Sequence, residues 1–529
     1  MPIEEESHGT PSLTARVRHR TVPRVRFRAN HQLRPAQQKT RSSPPHRRRS
    51  YDSTPVSTST STLLLTLHTD RSHPNERHTH DTNSGPEVGH LIGGEHRVSN
   101  LREVNDRGRL RDVVARVSVG DETDVDRAVN AAHGAYSHWR TTPITERIQF
   151  LTAAAEVVAN AEVELAPLLV REHGGMLWEA QTDFHIGTGM LHDTAGLIRD
   201  FLQPVEYTDA NGRISIEKTA RGVVGAIIPW NMPIALTFQK LAPALAAGNT
   251  FVLKPSPSAS AALTLLLQRV AELLPAGVLN VVHGDGDVGA ALCSHPLVRK
   301  IAFTGGTSTG IKVIEATART IKNVTLELGG NDPAVILDDA DIDTTLERLL
   351  KGVFTRSGQI CFGVKRIYVP RALSARFATA LCERVDHYSV GHGLDPEADF
   401  GPLNNEVQYK KVLNLIERTH ASFATVLELG NKTDPSGWED GYFILPHVVR
   451  DAEHSAPISS EEQFGPVIPL ITYDNEDQVL HWANDSEYGL GSSVWTSDAD
   501  WGFAFARKIE AGSTFINSHS FDSLDLRMP

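Results

Sequence analysis

Three cysteines occur in 529 residues, and only one stands where a thiol could do chemistry. Cys293 and Cys382 each fall inside an apolar helical pattern, where cysteine behaves as a small hydrophobe. Cys361 instead follows the polar turn Ser357-Gly358-Gln359. A thiolate there would be a strong nucleophile. A free thiol has a pKa of roughly 8.5, so its surroundings must lower that value or a base must take its proton. Glu327 lies between apolar residues and the pair Gly329-Gly330. Read locally, it is the solvent-facing end of a strand or helix. Gly305-Gly306-Thr307-Ser308-Thr309-Gly310 opens a helix directly after an apolar run. Such a turn offers free N–H groups and the positive end of a helix dipole, which suits a pyrophosphate. It matches neither G-x-G-x-x-G nor a P-loop, which requires Gly-Lys-Ser/Thr.

These residues need a scaffold, and a repeated strand-then-helix pattern supplies one. Val223 to Ile228 reads as a buried strand, followed by a helix through Leu236, Leu241 and Leu245. Thr250 to Leu253 is a second strand with a helix from about Ser258 to Leu274, Leu279 to Val282 a third, and Lys300 to Thr304 a fourth. Apolar runs without alternation mean strands covered on both faces, hence an α/β fold with a parallel, doubly wound sheet. Ligands bind such sheets beyond the carboxyl ends of the strands. There the chain carries Pro229-Trp230-Asn231-Met232-Pro233, Lys254-Pro255-Ser256-Pro257 and the glycine turn. Read locally, Asn231 caps the helix starting near Pro233. Upstream, the packed chain starts at about residue 115. Thr123 reads as the N-cap of a first helix, and a second runs from about Thr145 to Glu172, whole or in two pieces, stopped by Gly174-Gly175.

The composition is that of an ordinary soluble protein: 40% hydrophobic, 22% charged, net charge −12. Nucleic-acid and membrane-surface binding need clustered positive charge, so neither partner is expected. No apolar stretch approaches the ~20 residues of a membrane helix. An odd cysteine count at irregular spacing is neither a disulfide framework nor a zinc pattern, which places the chain in a reducing compartment, the cytoplasm. Residues 1–88 differ from the rest, with many arginines and then a Ser/Thr/His/Asp-rich stretch lacking any periodicity. They are expected to be a disordered extension rather than a nucleic-acid arm or a transit peptide, whose start should lack Glu4-Glu5-Glu6. The histidines between His68 and His90 have no ligand spacing, and no metal site is expected.

Six motifs follow one another in order: Pro229-Trp230-Asn231, Lys254-Pro255-Ser256, Phe303-Thr304-Gly305, Leu326-Glu327-Leu328-Gly329-Gly330, Gly358-Gln359-Ile360-Cys361 and Glu461-Glu462-Gln463-Phe464-Gly465-Pro466. From about residue 115 onward the chain therefore resembles the aldehyde dehydrogenase superfamily, in its NAD(P)-dependent, hydrolytic, non-CoA-acylating form. The resemblance implies a Rossmann-type cofactor domain from 89–201 and 222–328, an oligomerisation hairpin at 202–221 and an α/β catalytic domain from 329 to 529. It implies Cys361 as nucleophile and Asn231 as an oxyanion donor together with the Cys361 N–H. Glu327 would be the base that activates the hydrolytic water, in an apolar pocket that raises its pKa toward the working pH. For the cofactor, NAD with NADP also admitted, it implies Lys254 and Ser256 at the adenosine ribose and Ile228 and Trp230 along the site. Gly305 and Gly306 would lie near the pyrophosphate with Phe303, Gly286 and Leu328 around them, and Glu462 at the nicotinamide ribose beside Phe464. Gln408 and Lys411 match positions that reach a cofactor ribose in some members, although their spacing fits an exposed helix face equally well. Homodimers or homotetramers and a small-molecule aldehyde substrate are implied as well. Met232, Phe354 and Phe362 point to an apolar funnel.

The chain also departs from that family. Pro257 stands where many NAD-preferring members carry a glutamate that repels a 2′-phosphate, and Gly306 replaces the usual serine. Val98 to Asp112 lacks the family's Asn-Pro-Ala-Thr-Gly-Glu-like segment, and Leu524 to Pro529 stands where members continue through Pro-Phe-Gly-Gly into a last strand. From this the catalytic domain is expected to be truncated. Two functions follow: oxidation of an aldehyde to an acid through a thiohemiacetal and a thioester, or a catalytically impaired dehydrogenase acting only as a nucleotide-binding or scaffold protein.

Overall fold

The computed structural model describes residues 85–519. The extension expected over 1–88 lies outside the described residues except for its last four, and among these Glu87–Val88 pairs in parallel with Arg109–Ser118. The expectation for the chain end, Leu524 to Pro529, also falls outside them.

Ordered strands begin well before residue 115. Leu101–Asp106 and Arg109–Ser118 form an antiparallel pair around a tight turn at Arg107-Gly108. Arg102, Glu103, Arg109, Arg111 and Asp112 lie on its exposed part, so no apolar alternation marks it in the sequence. The first helix, Glu122–Trp139, is capped by Asp121 and not by Thr123. The Asp121 carboxylate accepts the N–H groups of Thr123 and Asp124 at 2.8 and 3.2 Å, and the Asp124 carboxylate accepts the N–H of Asp121 in return. A threonine before two acids has the same local signature as a cap, which is why the position is misread by two residues. The second helix, Ile144–His173, is a single piece and stops on left-handed Gly174 (φ 84°).

The expected parallel sheet is present, with the strands Asn323–Glu327, Val298–Thr304, Val223–Ile227, Thr250–Lys254 and Leu279–Val281 side by side. An antiparallel pair, His90–Ile92 and Glu95–Arg97, extends the last edge. Alternate residues of one strand enter opposite cores. Phe251 and Leu253 pack against the helices Ile144–His173 and Pro233–Ala246, while Val252 packs with Val125, Val129 and Leu292. That double burial is what erased alternation from the sequence. The sheet order reverses between Val223–Ile227 and Val298–Thr304. A crevice opens at such a reversal, and these are the strands that lead into Asn231 and the glycine turn.

A second sheet runs Thr425–Glu428, His447–Arg450, Val467–Tyr473, Val364–Pro370, Asp332–Ile336, Gly491–Trp495 and Ser513–Ile516. All its pairs are parallel except the first. Between residues 202 and 221 the strands Val205–Asp209 and Gly212–Ile216 form an isolated hairpin, exposed along its whole length. Among the described residues no helix is long and apolar enough to cross a membrane.

Candidate active site

Helix Ile342–Phe354 ends just before the loop that carries Cys361, and the chain then turns left-handed three times in succession, at Arg356 (φ 58°), Ser357 (φ 54°) and Gly358 (φ 75°). Each non-glycine residue in that region costs on the order of 1–3 kcal/mol and persists only where its surroundings fix it. Here they do. Glu179 accepts the Arg356 N–H, Ser357 Oγ donates to Gly401 O at 2.7 Å, and Lys365 Nζ donates to Gly358 O at 2.7 Å. The Gln359 amide donates to Arg356 O at 2.9 Å and accepts the Asn404 N–H at 3.0 Å. Asn231 does not cap the helix Pro233–Ala246, whose N-cap is Met232. Its Nδ2 instead donates to Gln359 O at 3.0 Å, two residues before Cys361. An amide nitrogen carries two hydrogens, so a second N–H is left for the cavity that Asn231 lines together with Cys361.

Burial pushes the Cys361 thiol up to about 12, and the Asp332 and Glu462 carboxylates push the same way, against the Phe362 N–H and the Lys365 ammonium. A thiolate here would need a base to take the proton. Glu327 ends the strand Asn323–Glu327, half-buried, with its carbonyl accepting the Gly305 N–H at 3.0 Å. Lys240, on the helix that follows Asn231, stands within electrostatic reach of both Glu327 and Cys361. Burial lowers its ammonium to about 8 while those two acidic groups hold it up.

A cavity of about 230 Å³ lies where the sheet order reverses. Trp230 and Asn231 border it from one strand end, Gly305 and Gly306 from the other, with Leu328 and Cys361 between. Gln408 and Lys411 of the helix Glu406–His420, with Glu462 and Phe464 of the loop before strand Val467–Tyr473, close it from the other side. Gln408 Nε2 donates to Gln463 O and Phe464 O at 3.0 and 2.9 Å, and Lys411 Nζ donates to Glu462 O at 2.8 Å. Both side chains thus hold the loop in which Phe464 is left-handed (φ 52°) and meets Trp230 edge to face at 5.6 Å. Glu462 accepts the Gly330 N–H at 3.1 Å, and burial raises its carboxyl.

The turn fits an anionic ligand. Gly306 is the N-cap of the helix Thr307–Ala318 with no side-chain cap, a Cβ at Gly306 would meet nothing within 4 Å, and the buried Thr304 hydroxyl has no partner. Ile228, Lys254, Ser256, Gly286, Phe303 and Glu327 do not line this cavity. Phe303 is the floor of the turn, 2.6 Å from where a Cβ at Gly305 would stand. Lys254 runs beside the helix Gly286–Ser294, its Nζ donating to Pro255 O at 3.2 Å, and burial lowers it to about 8. Ser256 Oγ accepts the Ser258 N–H at 3.3 Å, and Ile228 is buried. Of the three funnel residues, Met232 and Phe362 pack around Ile360, whereas Phe354 is turned into the core against Phe400 at 5.4 Å. Phe354 ends an amphipathic helix, and its apolar face belongs to the core.

Sequence reading missed Lys240, Lys365 and Arg356. Lys240 interrupts an otherwise apolar helix, and Lys365 sits in a strand buried throughout. The lone charge in the first and the adjacent Lys365-Arg366 pair in the second were the available signals, and Arg356, in a polar turn, gave none.

A doubly wound sheet whose crevice, at the reversal of strand order, meets a cysteine, an amide and a carboxylate is the architecture of a dinucleotide-dependent dehydrogenase. The chain belongs to the aldehyde dehydrogenase family, whose profile matches residues 99–529. It is 33% identical over 410 residues to the 3,6-anhydro-alpha-L-galactose dehydrogenase of Vibrio sp. (strain EJY3), covering 77% of this chain and 85% of that one. It is 36% identical over 416 residues to the geranial dehydrogenase of Castellaniella defragrans, covering 78% and 86%. Among solved structures, betaine aldehyde dehydrogenase from Staphylococcus aureus in complex with NAD+ superposes with a TM-score of 0.79 at 30% identity over 82% of this chain and 87% of that one. 3,6-Anhydro-L-galactose dehydrogenase in complex with NADP gives 0.78 at 31% identity over 82% and 92%. Aldehyde oxidation by a nicotinamide-dependent enzyme is the activity this membership carries.

Proposed function

We propose that the chain oxidises an aldehyde to a carboxylic acid with NAD+ or NADP+ through a covalent bond to Cys361. The observation that carries this reading is the meeting of Cys361, Asn231 and both strand-end turns on one cavity. Glu327 takes the thiol proton, directly or through water, because burial holds the thiol neutral. The sulfur then bonds to the carbonyl carbon, and the oxyanion is held by the Asn231 amide and the Cys361 N–H before it is protonated as the thiohemiacetal. When bound, the dinucleotide supplies the acceptor for the hydride that leaves this carbon. Loss of that hydride and of the hydroxyl proton leaves a thioester. Glu327 next takes a proton from water, which attacks the thioester, releases the acid and restores the thiol.

Gly305, Gly306 and the N–H groups of the helix behind them would hold the pyrophosphate, Glu462 a ribose, and Lys254 with Ser256 the adenosine side. Pro257 places no carboxylate beside Lys254, so NADP is admitted alongside NAD. Relatives bound to each cofactor agree with that. Met232 and Phe362 favour an apolar aldehyde. The units are 89–201 with 222–328 for the cofactor, 329–529 for catalysis and 202–221 for assembly. In the hairpin, Val205 pairs with Ile216 and Tyr207 with Ile214, all exposed, an apolar face suited to a second copy of this chain in a dimer or tetramer. Three unpaired cysteines suit the cytoplasm. An aldehyde panel run with each cofactor, following reduced nicotinamide at 340 nm, tests the reading. No turnover with any aldehyde, despite bound dinucleotide, would leave only a nucleotide-binding protein.

A further inference from the structure

We propose that Glu179, Asp183 and Arg356 form a positioning unit that fixes the nucleophile loop and the oxyanion donor relative to each other; the proposal rests on the roles read above for Cys361 and Asn231. Glu179 and Asp183 are one turn apart on the helix Leu177–Phe201 and therefore share a face. Their exposures are 5% and 2%, and that of Arg356 is 2%. Asp183 serves the oxyanion side. Its two carboxylate oxygens accept the N–H groups of Ile234 and Ala235 at 3.1 and 2.7 Å, capping from another helix an N-terminus whose own N-cap residue makes no side-chain bond. Glu179 serves the nucleophile side. It accepts the N–H of Arg356, the first left-handed residue of the loop, while its other oxygen accepts the Met176 N–H at 2.9 Å.

The Arg356 guanidinium lies 3.7 Å from Glu179 and is close enough to Asp183 for its charge to act on that carboxyl. Two carboxylates one turn apart repel, and a cation at both removes the repulsion. The guanidinium occupies space that only glycine leaves open, since a Cβ at Gly175 would fall 1.5 Å from its Nη1 and 2.6 Å from Cζ. His173 Nδ1 accepts the Gly175 N–H at 3.0 Å and faces Arg356 Nη1 at 3.2 Å, its ring kept neutral by burial and by the guanidinium.

The bonds close into a ring. From Glu179 it passes to Arg356, along the turn to Gln359 O, across to Asn231 Nδ2, through Met232 and Pro233 to the N–H groups of Ile234 and Ala235, and back to Asp183. Apolar side chains of similar volume would fill this space without taking three charges out of water. What the charges add is a fixed path between Cys361 and Asn231.

The test compares two reactions of Cys361 that need no cofactor. Acylation by p-nitrophenyl acetate passes through an oxyanion and requires the Asn231 geometry. Alkylation by iodoacetamide displaces iodide at carbon and forms no oxyanion. A displacement of about 1 Å can cost on the order of 10² in rate. Asp183→Asn is expected to slow acylation 10- to 100-fold while alkylation stays within about twofold, a split that simple destabilisation does not produce. Glu179→Gln, which keeps one carbonyl acceptor for the Arg356 N–H, is the milder variant should Asp183→Asn fail to fold. It is expected to lower the ratio of the two rates at least fivefold. An unchanged ratio in the folded variants, or an equal fall of both rates, overturns the proposal. A wild-type protein that p-nitrophenyl acetate does not acylate at Cys361 would remove the nucleophile reading itself, and the inference with it.

Discussion

Between Thr355 and Cys361 the chain is tied at nearly every step. Glu179, Gly401, Asn404, Lys365 and Asn231 each bond to it, and Arg356 and Ser357 are held in a left-handed path they would not take unaided. Across the cavity the turn from Thr304 to Thr307 is built the opposite way, with open space at Gly306, an unpartnered hydroxyl at Thr304 and an apolar floor at Phe303. On the proposed mechanism the first region carries the atom that makes and breaks bonds, and an error of about 1 Å there acts directly on the barrier. The second must leave its N–H groups free for a ligand that brings its own charge. Damage to the loop should therefore appear in kcat, and damage to the turn in cofactor affinity.

The largest expected effect is at the bond-making atom. Cys361→Ala should abolish turnover by about 10⁴-fold or more while dinucleotide binding, read by nicotinamide fluorescence, persists. Glu327→Gln should lower kcat by about 10²–10⁴, the range for a general base. Under pre-steady-state conditions it should leave an acyl-enzyme that hydrolyses slowly; equal slowing of hydride release and hydrolysis would give Glu327 no separate part in the water step. Asn231→Ala should lower kcat about 10²–10³-fold with cofactor affinity unchanged. On the other side of the comparison, Gly305→Ala places a Cβ 2.6 Å from the Phe303 ring and forces the turn to shift. Overpacking of that kind costs about 1–3 kcal/mol, so the KM for the dinucleotide should rise about tenfold with kcat nearly constant. A fall in kcat at constant KM would break the division between the two regions.

The sheet could be read from sequence because its strands are buried on both faces and announce themselves as apolar runs. The paired strands at 101–118 could not, since charged residues cover their exposed part and leave no periodic signal. The polar turn before Cys361 was equally legible, and so was the glycine turn. The path of the loop was not. Nothing near Arg356 in sequence indicates that its N–H bonds to Glu179, 177 positions earlier, or that its guanidinium needs a glycine at 175. Gln408 and Lys411 show the same limit. The resemblance offered a ribose contact and the spacing an exposed face, and the structure has them bordering the cavity while gripping backbone carbonyls of the Glu462–Phe464 loop. Motifs mark candidate side chains, whereas the bonds that hold those side chains are set by tertiary contacts.

The smallest expected effect sits between the two regions, at Lys240. Burial lowers its ammonium to about 8, and Glu327 and Cys361 are the acidic groups that favour its charge. The pull is mutual, so the ammonium eases ionisation of the thiol as long as it keeps its proton. The sign follows from that. The help is present below about pH 8 and fades as pH rises through that value. Lys240 is half-buried, so its influence should match a partly exposed ion pair, about two- to fivefold in rate. Lys240→Met should therefore slow iodoacetamide alkylation of Cys361 by that factor at pH 7, with the two proteins converging near pH 9.5. Raising ionic strength should shrink the difference, since half-exposed charges are screened. Equal rates at pH 7, or a gap that widens with pH, would mean that Lys240 acts through packing alone.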